Sequence, residues 1–453
     1  MPVKTVNDIV ALCKRRGFIF TGSEIYGGLG GTYDYGPYGV ELMKNIRNAW
    51  WNTMVYQRDD IEGLDASQIT NRLLWKYSGH EGGFSDQLVE CKKCGLRMRL
   101  DKMKDPKKCD SCGSSDLTAP RAYQLMMGLS IGATAEGEVN AYLRPETATT
   151  TYTNFKNVLD STPHKLPFGI VQIGKAFRNE ISPRGFVFRM REFEQAELQY
   201  FVKPGEDEKY FEQWKKARMS WWVNELGIPA KKLRFTPHDK LAHYAKAAFD
   251  IEYEFPDGFD EVEGIHNRQD FDLGSHTKSQ NEFKINAKTL ENKDSITKLS
   301  YSDPQTGESF IPYVVETAMG VNRAMFVVML DAYTEEDLGE GKTRTVLKIK
   351  PSLAPVKAAV IPLARNVPEL LKISEEIVAD LRKLGIGRIE MENSGNIGKN
   401  YRRHDEIGTP VCITVDHQTI EDKTVTLRHR DSMKQERISI DKVKEHLLKI
   451  LAK

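Results

Sequence analysis

The sequence predicts an α+β protein, and three stretches carry that expectation. Residues 168–201 read as two apolar-rich strands joined through Ser182, Pro183, Arg184 and Gly185, residue types that favour a turn. Residues 314–330 read as a strand, a turn at Gly320 and an apolar helix from Val321. After a short linker at 351–355, strands at 357–363, 388–392, 411–415 and 424–430 alternate with a helix near 369–384 and a last helix from Lys442. The expected division is therefore 1–350 and 351–453.

A chain of 453 residues and 51.6 kDa with 40% hydrophobic content has room for roughly three domains and sizeable cores. With 28% charged residues and a mean hydropathy of −0.50, it is expected to be soluble. A net charge of +1 excludes a uniformly basic nucleic-acid coat and leaves room for local basic patches. No stretch has the length of a signal peptide or a membrane span, so a cytoplasmic location and no membrane partner are expected.

In chain order, Thr5 or Asn7 is expected to cap a first helix that Gly17 stops. Lys14, Arg15 and Arg16 near its end complement the helix dipole. The glycines at 27, 28, 30 and 31 have the spacing of neither a P-loop nor a dinucleotide fold. Pro37 can start a second helix with Leu42, Ile46, Ala49 and Trp50 as its apolar stripe.

Four of the six cysteines form two Cys-x-x-Cys pairs, Cys91/Cys94 and Cys109/Cys112, each followed by a glycine. This is the layout of a zinc ribbon at 88–118, in which four thiolates close a tetrahedral structural site. The insertion is rich in Lys and Arg, including Arg97 and Arg99, ordinarily just a solvated face.

The chemistry concentrates in 168–201. Strand alternation puts Arg178 and Glu180 on one face, and likewise Arg189, Arg191, Phe193 and Gln195. Guanidinium forks, a carboxylate and an aromatic ring together suit a nucleotide: Arg binds phosphate, the carboxylate accepts from an exocyclic amine, and Phe stacks on a base. For an isolated Arg-x-Glu, cross-strand pairing of charges is the ordinary reading.

These residues closely resemble motif 2 of the class II aminoacyl-tRNA synthetases, in the glycyl form Phe-Arg-Asn-Glu-Ile-Ser-Pro-Arg followed by Arg-Glu-Phe. Further stretches extend the resemblance over nearly the whole chain: Tyr-Gly-Pro-x-Gly-x-Glu-Leu at 35–42 for motif 1, Arg-Pro-Glu-Thr-Ala at 144–148, Glu-x-x-Gly-Ile-x-x-Arg-x-Asp at 261–270, and 314–330 for motif 3. The resemblance implies a core of six or more antiparallel strands flanked by helices, a C-terminal α/β anticodon-binding domain, and a homodimer through the motif 1 helix. It implies ATP-dependent activation of glycine, with Mg²⁺ on the phosphates, and transfer to the 3′ end of tRNA(Gly).

By the same resemblance, Arg178 and Arg323 serve catalysis, on the α-phosphate and on the γ-phosphate or adenine. Arg189 or Arg184 serves the outer phosphates, Arg191 is a further ATP-binding residue, Glu180 takes the adenine amine and Phe193 the base, while Glu263 and Glu316 are candidates for holding Mg²⁺. Glu146 takes the glycine ammonium, and Arg144, Arg268 and Glu316 shape its pocket, with Asp270 nearby. Lys399, Arg402, Arg403, Arg428 and Arg430 are expected on tRNA phosphates, and Tyr401 or His404 on an unstacked base.

Two departures from the family pattern flank the glycine pocket. Thr149, Thr150 and Thr151 stand where amide and glycine chemistry is usual, and Ala318 stands in place of a serine. The threonines are expected to fill space and Thr317 to supply the missing hydroxyl. Two other functions fit parts of the pattern: a non-catalytic nucleic-acid-binding relative of this fold, and another class II synthetase such as the threonyl, prolyl or histidyl enzyme. The joint presence of Arg178, Glu180, Arg323 and Glu146 disfavours the first, and the Arg-Pro-Glu-Thr-Ala stretch the second.

Overall fold

The computed structural model describes residues 5–133, 139–183, 185–239, 241–242 and 245–452. Helix α1 (Val6–Arg16) starts at Thr5 in a capping box with Asp8 and ends at Gly17, whose φ of 72° lets the chain leave in the left-handed conformation. Helix α2 (Pro37–Trp51) follows, with Pro37 at its first turn. Its Leu42, Met43, Ile46 and Trp50 are buried within the chain's own core against the motif 3 helix, so this stripe is not left over for a partner.

The main sheet has seven strands, β1 (Ile61–Gly63), β2 (Phe168–Phe177), β3 (Glu192–Val202), β4 (Leu233–Pro237), β5 (Ala247–Phe255), β6 (Gly258–Gln269) and β7 (Tyr313–Gly320). Their spatial order is β4-β5-β6-β7-β3-β2-β1, antiparallel except where β1 runs parallel to β2 at the edge. The hairpin strands stop short of their expected limits. The β2–β3 ladder ends at Phe177 opposite Glu192, and a single further rung, Arg178 N–H to Arg191 O at 2.9 Å, carries Arg178 beyond it. Arg178, Glu180, Arg189 and Arg191 therefore sit in the loop, where strand alternation no longer sets their direction.

Helices α3 (Ala148–Ser161), α4 (Asp207–Asn224) and α5 (Val321–Ala332) flank this sheet. One face packs on α4 and α5 through a large apolar cluster that includes Trp50, Trp222, Ile265, Val315 and Met325. The C-terminal sheet comprises β8 (Val356–Pro362), β9 (Arg388–Met391), β10 (Val411–Val415), β11 (Thr424–His429) and β12 (Gln435–Ser439) in the order β9-β8-β10-β11-β12. β8 runs parallel to both neighbours, and helices α6 (Pro368–Arg382) and α7 (Ile397–Ile407) connect the strands. Its core, built on Val360, Leu370, Ile413 and Leu427, is a separate cluster.

Glu263 is one position where the fold overrules the expected role. β6 carries one extra residue, because Ile251 pairs with Glu263 and Glu252 with Glu261, which leaves Val262 as a bulge. Glu263 faces α4, where Arg218 Nε donates to its Oε1 and Trp222 Nε1 to its Oε2, each at 2.6 Å. Both Arg218 and Glu263 are almost wholly buried. The carboxylate anchors a helix and has no access to a nucleotide or its metal.

Replacing Glu263 by Ala leaves the Arg218 guanidinium buried without its partner, a change that costs about 3–5 kcal/mol. Urea denaturation should show that loss. Full stability in the variant would show that Glu263 does not anchor α4.

Candidate active site

The loop that follows β2 and the faces of β3, β6 and β7 opposite α4 enclose a cavity of about 400 Å³. Strand pairing assembles its floor. Gln195 lies opposite Gly320 and Glu197 opposite Ala318 across β3–β7, while Gly264 lies opposite Ala318 and His266 opposite Glu316 across β6–β7. Alternation then brings Phe193, Gln195, Glu197, Gly264, His266, Arg268, Glu316 and Ala318 to one surface. Glu261 joins them past the Val262 bulge.

One end of the cavity is acidic and densely bonded. Arg268 donates from Nε and Nη2 to Asp272 at 2.7 and 2.8 Å, and from Nη1 to Glu316 at 3.2 Å. Glu316 also accepts from Gln199 at 2.9 Å and from Tyr152, and the His266 ring lies 2.9 Å away. Burial raises the Glu316 carboxyl, but Arg268 and His266 outweigh it and bring it down to about 2. With this many donors on it, Glu316 has no free oxygen for the Mg²⁺ role expected of it.

Glu146, on the loop before α3, accepts from Thr149 Oγ1 at 2.7 Å and lies 3.2 Å from His80 Nε2. Burial opposes its ionisation, but His80, Arg268 and Thr149 prevail and hold its carboxyl well below the ordinary carboxylate range. Glu197 is the opposite case. Burial, with Glu316 and Glu146 close by, pushes its carboxyl up to about 8, although Thr147 donates to it.

The other end suits a nucleotide. The Arg178 guanidinium lies 5.2 Å from the centres of both the Phe84 and Phe193 rings and donates to Pro145 O at 3.0 Å. Arg323, in the first turn of α5, lies 4.3 Å over the Phe188 ring and donates to Glu261 O at 2.9 Å. Glu180 lines the wall with Arg189 3.8 Å from it, and Asp86 and Arg99 are joined at 2.9 Å beside them. Arg99 is thus part of the cavity and not of the solvated knob expected from the sequence.

Several other expected site residues are placed elsewhere. Arg191 turns away from the cavity and donates to Gly30 O and to Glu180 O, because the glycine loop packs against the hairpin. A Cβ at Gly31 would stand 2.7 Å from Pro183, and only a glycine permits that approach at φ +78°. Arg144 is fully buried behind the cavity, donating to Lys175 O, Ala66 O and Gln172. Asp270 accepts the backbone N–H groups of Asn286 and Ala287 and so holds a connecting loop. Arg184 lies outside the described residues.

The three threonines lie behind the cavity wall. Thr150 and Thr151 accept hydrogen bonds from Gln172 Nε2, and Thr149 donates to Glu146. Thr317, between Glu316 and Ala318, points to the other face of the sheet and does not supply the missing hydroxyl. Neither expectation about the pocket's filling holds.

In the C-terminal unit, Arg428 pairs with Asp405 through two bonds of 2.8 and 2.9 Å, and Arg430 donates to Gly408 O and Asp431. Both are buried, as is His404, so none of the three is presented to a nucleic acid. Tyr401 is half-buried, with its hydroxyl on Thr414 and the Arg428 guanidinium over its ring. Arg403 pairs with Glu392 at 2.8 Å, Arg402 is half-buried and Lys399 is exposed at the start of α7.

The four cysteine sulfurs lie within 4.8 Å of one another, with Cys91–Cys112 and Cys94–Cys109 at 3.6 Å. Thiolates about 2.3 Å from a tetrahedral Zn²⁺ stand about 3.8 Å apart, so the set fits that ion. Gly95 and Gly113, both at positive φ, close the turns by bonding back to Cys91 O and Cys109 O.

Comparison with known proteins decides the family. The glycine–tRNA ligase of Deinococcus radiodurans is 47% identical, covering 98% of this chain and 98% of its own length. That of Thermus thermophilus is also 47% identical, over 99% of both, and that of Borreliella burgdorferi 48%, over 96% of this chain and 95% of its own. The chain belongs to the glycine–tRNA ligase family. Within this family's chain, the class II core domain of tRNA synthetases (G, H, P, S and T) matches residues 132–332, and the anticodon binding domain matches 357–450. A crystal structure of prolyl-tRNA synthetase from Cryptosporidium parvum, complexed with halofuginone and AMPPNP, shares the fold with a TM-score of 0.64 at 16% identity, covering 98% of this chain and 74% of that one.

The sequence reading missed Glu197, Glu261, Asp86, Arg99, Phe84 and His266. Glu197 was within reach, since it lies two and four residues beyond Gln195 and Phe193 on the same strand face. Its raised carboxyl is testable through stability. A folded value of about 8 against about 4.3 unfolded means that its contribution is fully present below pH 4.3 and is lost as the pH rises through 8. Glu197→Gln cannot ionise, so its urea midpoint should fall less than the wild type's between pH 5 and 9. Equal slopes would show that Glu197 ionises normally.

Proposed function

We propose that this cavity binds glycine at its acidic end and ATP at its arginine-rich end, activates the amino acid, and passes it to the 3′ end of tRNA(Gly). The observation that carries the reading is the juxtaposition, in one cavity of about 400 Å³, of Glu146, Glu197 and Glu316 with Arg178 and Arg323. The near-full-length similarity to glycine–tRNA ligases supports the same reaction. Among the described lining residues there is no cysteine, serine or lysine, which suits a reaction whose nucleophile is the substrate's own.

A glycine carboxylate oxygen attacks the α-phosphorus of ATP, and the bond to the pyrophosphate leaving group breaks. A hydroxyl of the terminal adenosine of tRNA then attacks the glycyl carbonyl and releases AMP. The protein's part is alignment and charge. Glu146 and Glu197 take the ammonium, with Arg268 holding Glu316 in place beside them. Arg178 serves the α-phosphate, Arg189 the outer phosphates and Arg323 the γ-phosphate or the base. Phe193 stacks on adenine and Glu180 accepts from its amine. Mg²⁺ accompanying the nucleotide would neutralise phosphate charge, and the carboxylates lining this end are Asp86, Glu180, Glu194 and Glu261, of which Asp86 pairs with Arg99 and Glu194 with Arg47.

Cys91, Cys94, Cys109 and Cys112 hold a structural Zn²⁺. The C-terminal unit receives the anticodon end of the tRNA, with Lys399 and Arg402 as its available cations. A second copy of the chain is the expected partner, and the exposed Ile25, Tyr26 and Leu29 in the glycine loop that precedes α2 offer it an apolar surface. No described helix is long and apolar enough to cross a membrane, which agrees with a cytoplasmic enzyme.

Arg178→Ala and Arg323→Ala are each expected to lower glycine-dependent ATP–pyrophosphate exchange on the order of 10²-fold or more, with the fold intact. Near-normal exchange by either variant would refute its assignment. Elemental analysis of protein purified without chelator should give one zinc per chain, and Cys109→Ser should release it and impair aminoacylation more than exchange. Protein without zinc would remove the metal from this reading.

A further inference from the structure

The short helix His80–Gly83 precedes the insertion and belongs to none of the three motifs, yet it supplies a direct partner to the acidic end of the cavity. His80 does not line the cavity. Its Nε2 lies 3.2 Å from Glu146 Oε2, and its Nδ1 lies 2.8 Å from Ser78 Oγ. The ring is held edge-on to Trp75 and tilted against Phe84, each at 5.2 Å between centroids. Glu146 is thus gripped at both oxygens from outside the cavity, Oε1 by Thr149 and Oε2 by His80.

A carboxylate on a loop ordinarily samples several rotamers, and fixing it only when the ligand arrives costs affinity. Two donors on two different oxygens hold both oxygens in place and leave further lone pairs for an ammonium inside the cavity. We propose that His80 is a positioning residue for the amino-acid substrate, acting through Glu146 to present its carboxylate to the ammonium group. This rests on the reading that Glu146 binds that ammonium. The same helix leads into Phe84, whose ring carries the Arg178 guanidinium, so one element braces both halves of the cavity.

The test is ATP–pyrophosphate exchange by the full-length enzyme, with glycine and ATP varied separately. His80→Leu keeps the apolar packing and removes the donor, whereas His80→Gln places an amide N–H near the position of Nε2. His80→Leu should raise the KM for glycine tenfold or more and leave that for ATP within twofold, and His80→Gln should recover most of the loss. A glycine KM within twofold of wild type in His80→Leu would overturn the proposal. So would a parallel rise in both KM values, or no recovery in His80→Gln, since either marks a merely structural role. If His80→Leu does not fold, Ser78→Ala, which frees the ring, should raise the glycine KM alone, and an unchanged value would overturn the proposal. Glu146→Gln separates the two readings. If it raises the glycine KM while His80→Leu does not, only the role of His80 falls; if it leaves the glycine KM unchanged, both fall.

Discussion

The bonding of Arg268 is the interaction on which the site depends. It lies in a buried pocket with Glu146, Glu197, Glu316 and Asp272 close by, a concentration of carboxylates that would not stay ionised together without compensation. Arg268 pairs with Asp272 and Glu316, and His80 and His266 stand beside Glu146 and Glu316. Glu197 accepts from Thr147 and Gln195, and burial with Glu316 and Glu146 beside it raises its carboxyl to about 8 against the pull of Arg268. The acidic end can therefore take a further positive charge. An ammonium supplies it, which gives the pocket an electrostatic reason to prefer a zwitterionic amino acid over a simple carboxylic acid.

Much of this arrangement was legible in the sequence because it follows from strand parity. Glu316 and Ala318 on one strand and Phe193 and Gln195 on another could be set on a common face from their spacing alone. The reading failed where parity is interrupted. The bulge at Val262 keeps Glu263 on the helix side and lets Glu261 into the cavity, and nothing in the composition of β6 announces an extra residue. At the hairpin the ladder stops at Phe177, so Arg191 obeys the packing of the glycine loop and not the alternation of β3. The C-terminal arginines failed for another reason. Arg428 and Arg430 look like phosphate ligands in a string of letters, but their partners Asp405 and Gly408 come from α7 and its cap, a pairing fixed only by tertiary structure.

The departures at Thr149, Thr150 and Thr151 belong to the same lesson. Adjacent in sequence to a site residue, they seemed to border the substrate. In the helix their hydroxyls turn back, Thr149 to Glu146 and the other two to Gln172, whose carbonyl oxygen in turn accepts from Arg144. Arg144 stands against Gly174, where even a Cβ would collide with its guanidinium at 2.1 Å. The loop that bears Glu146 is thus clamped from behind by a polar network, and the unusual residues serve its rigidity and not the pocket's volume.

Rigidity of this kind also explains how the four-cysteine insertion bears on chemistry at a distance. The insertion's strand at Arg97–Arg99 presents Arg99 to Asp86, beside Glu180, and the Arg97 carbonyl accepts from Ser182 in the hairpin loop. The loop between β2 and β3 therefore leans on the insertion on one side and on the glycine loop, through Arg191, on the other. Opening the four-cysteine cluster would loosen the first support without touching the acidic end of the cavity. The smaller part of the effect that reaches exchange should then appear in the KM for ATP, through Arg99 and Ser182, while the acidic end, braced by Arg268, Thr149 and His80, keeps its shape.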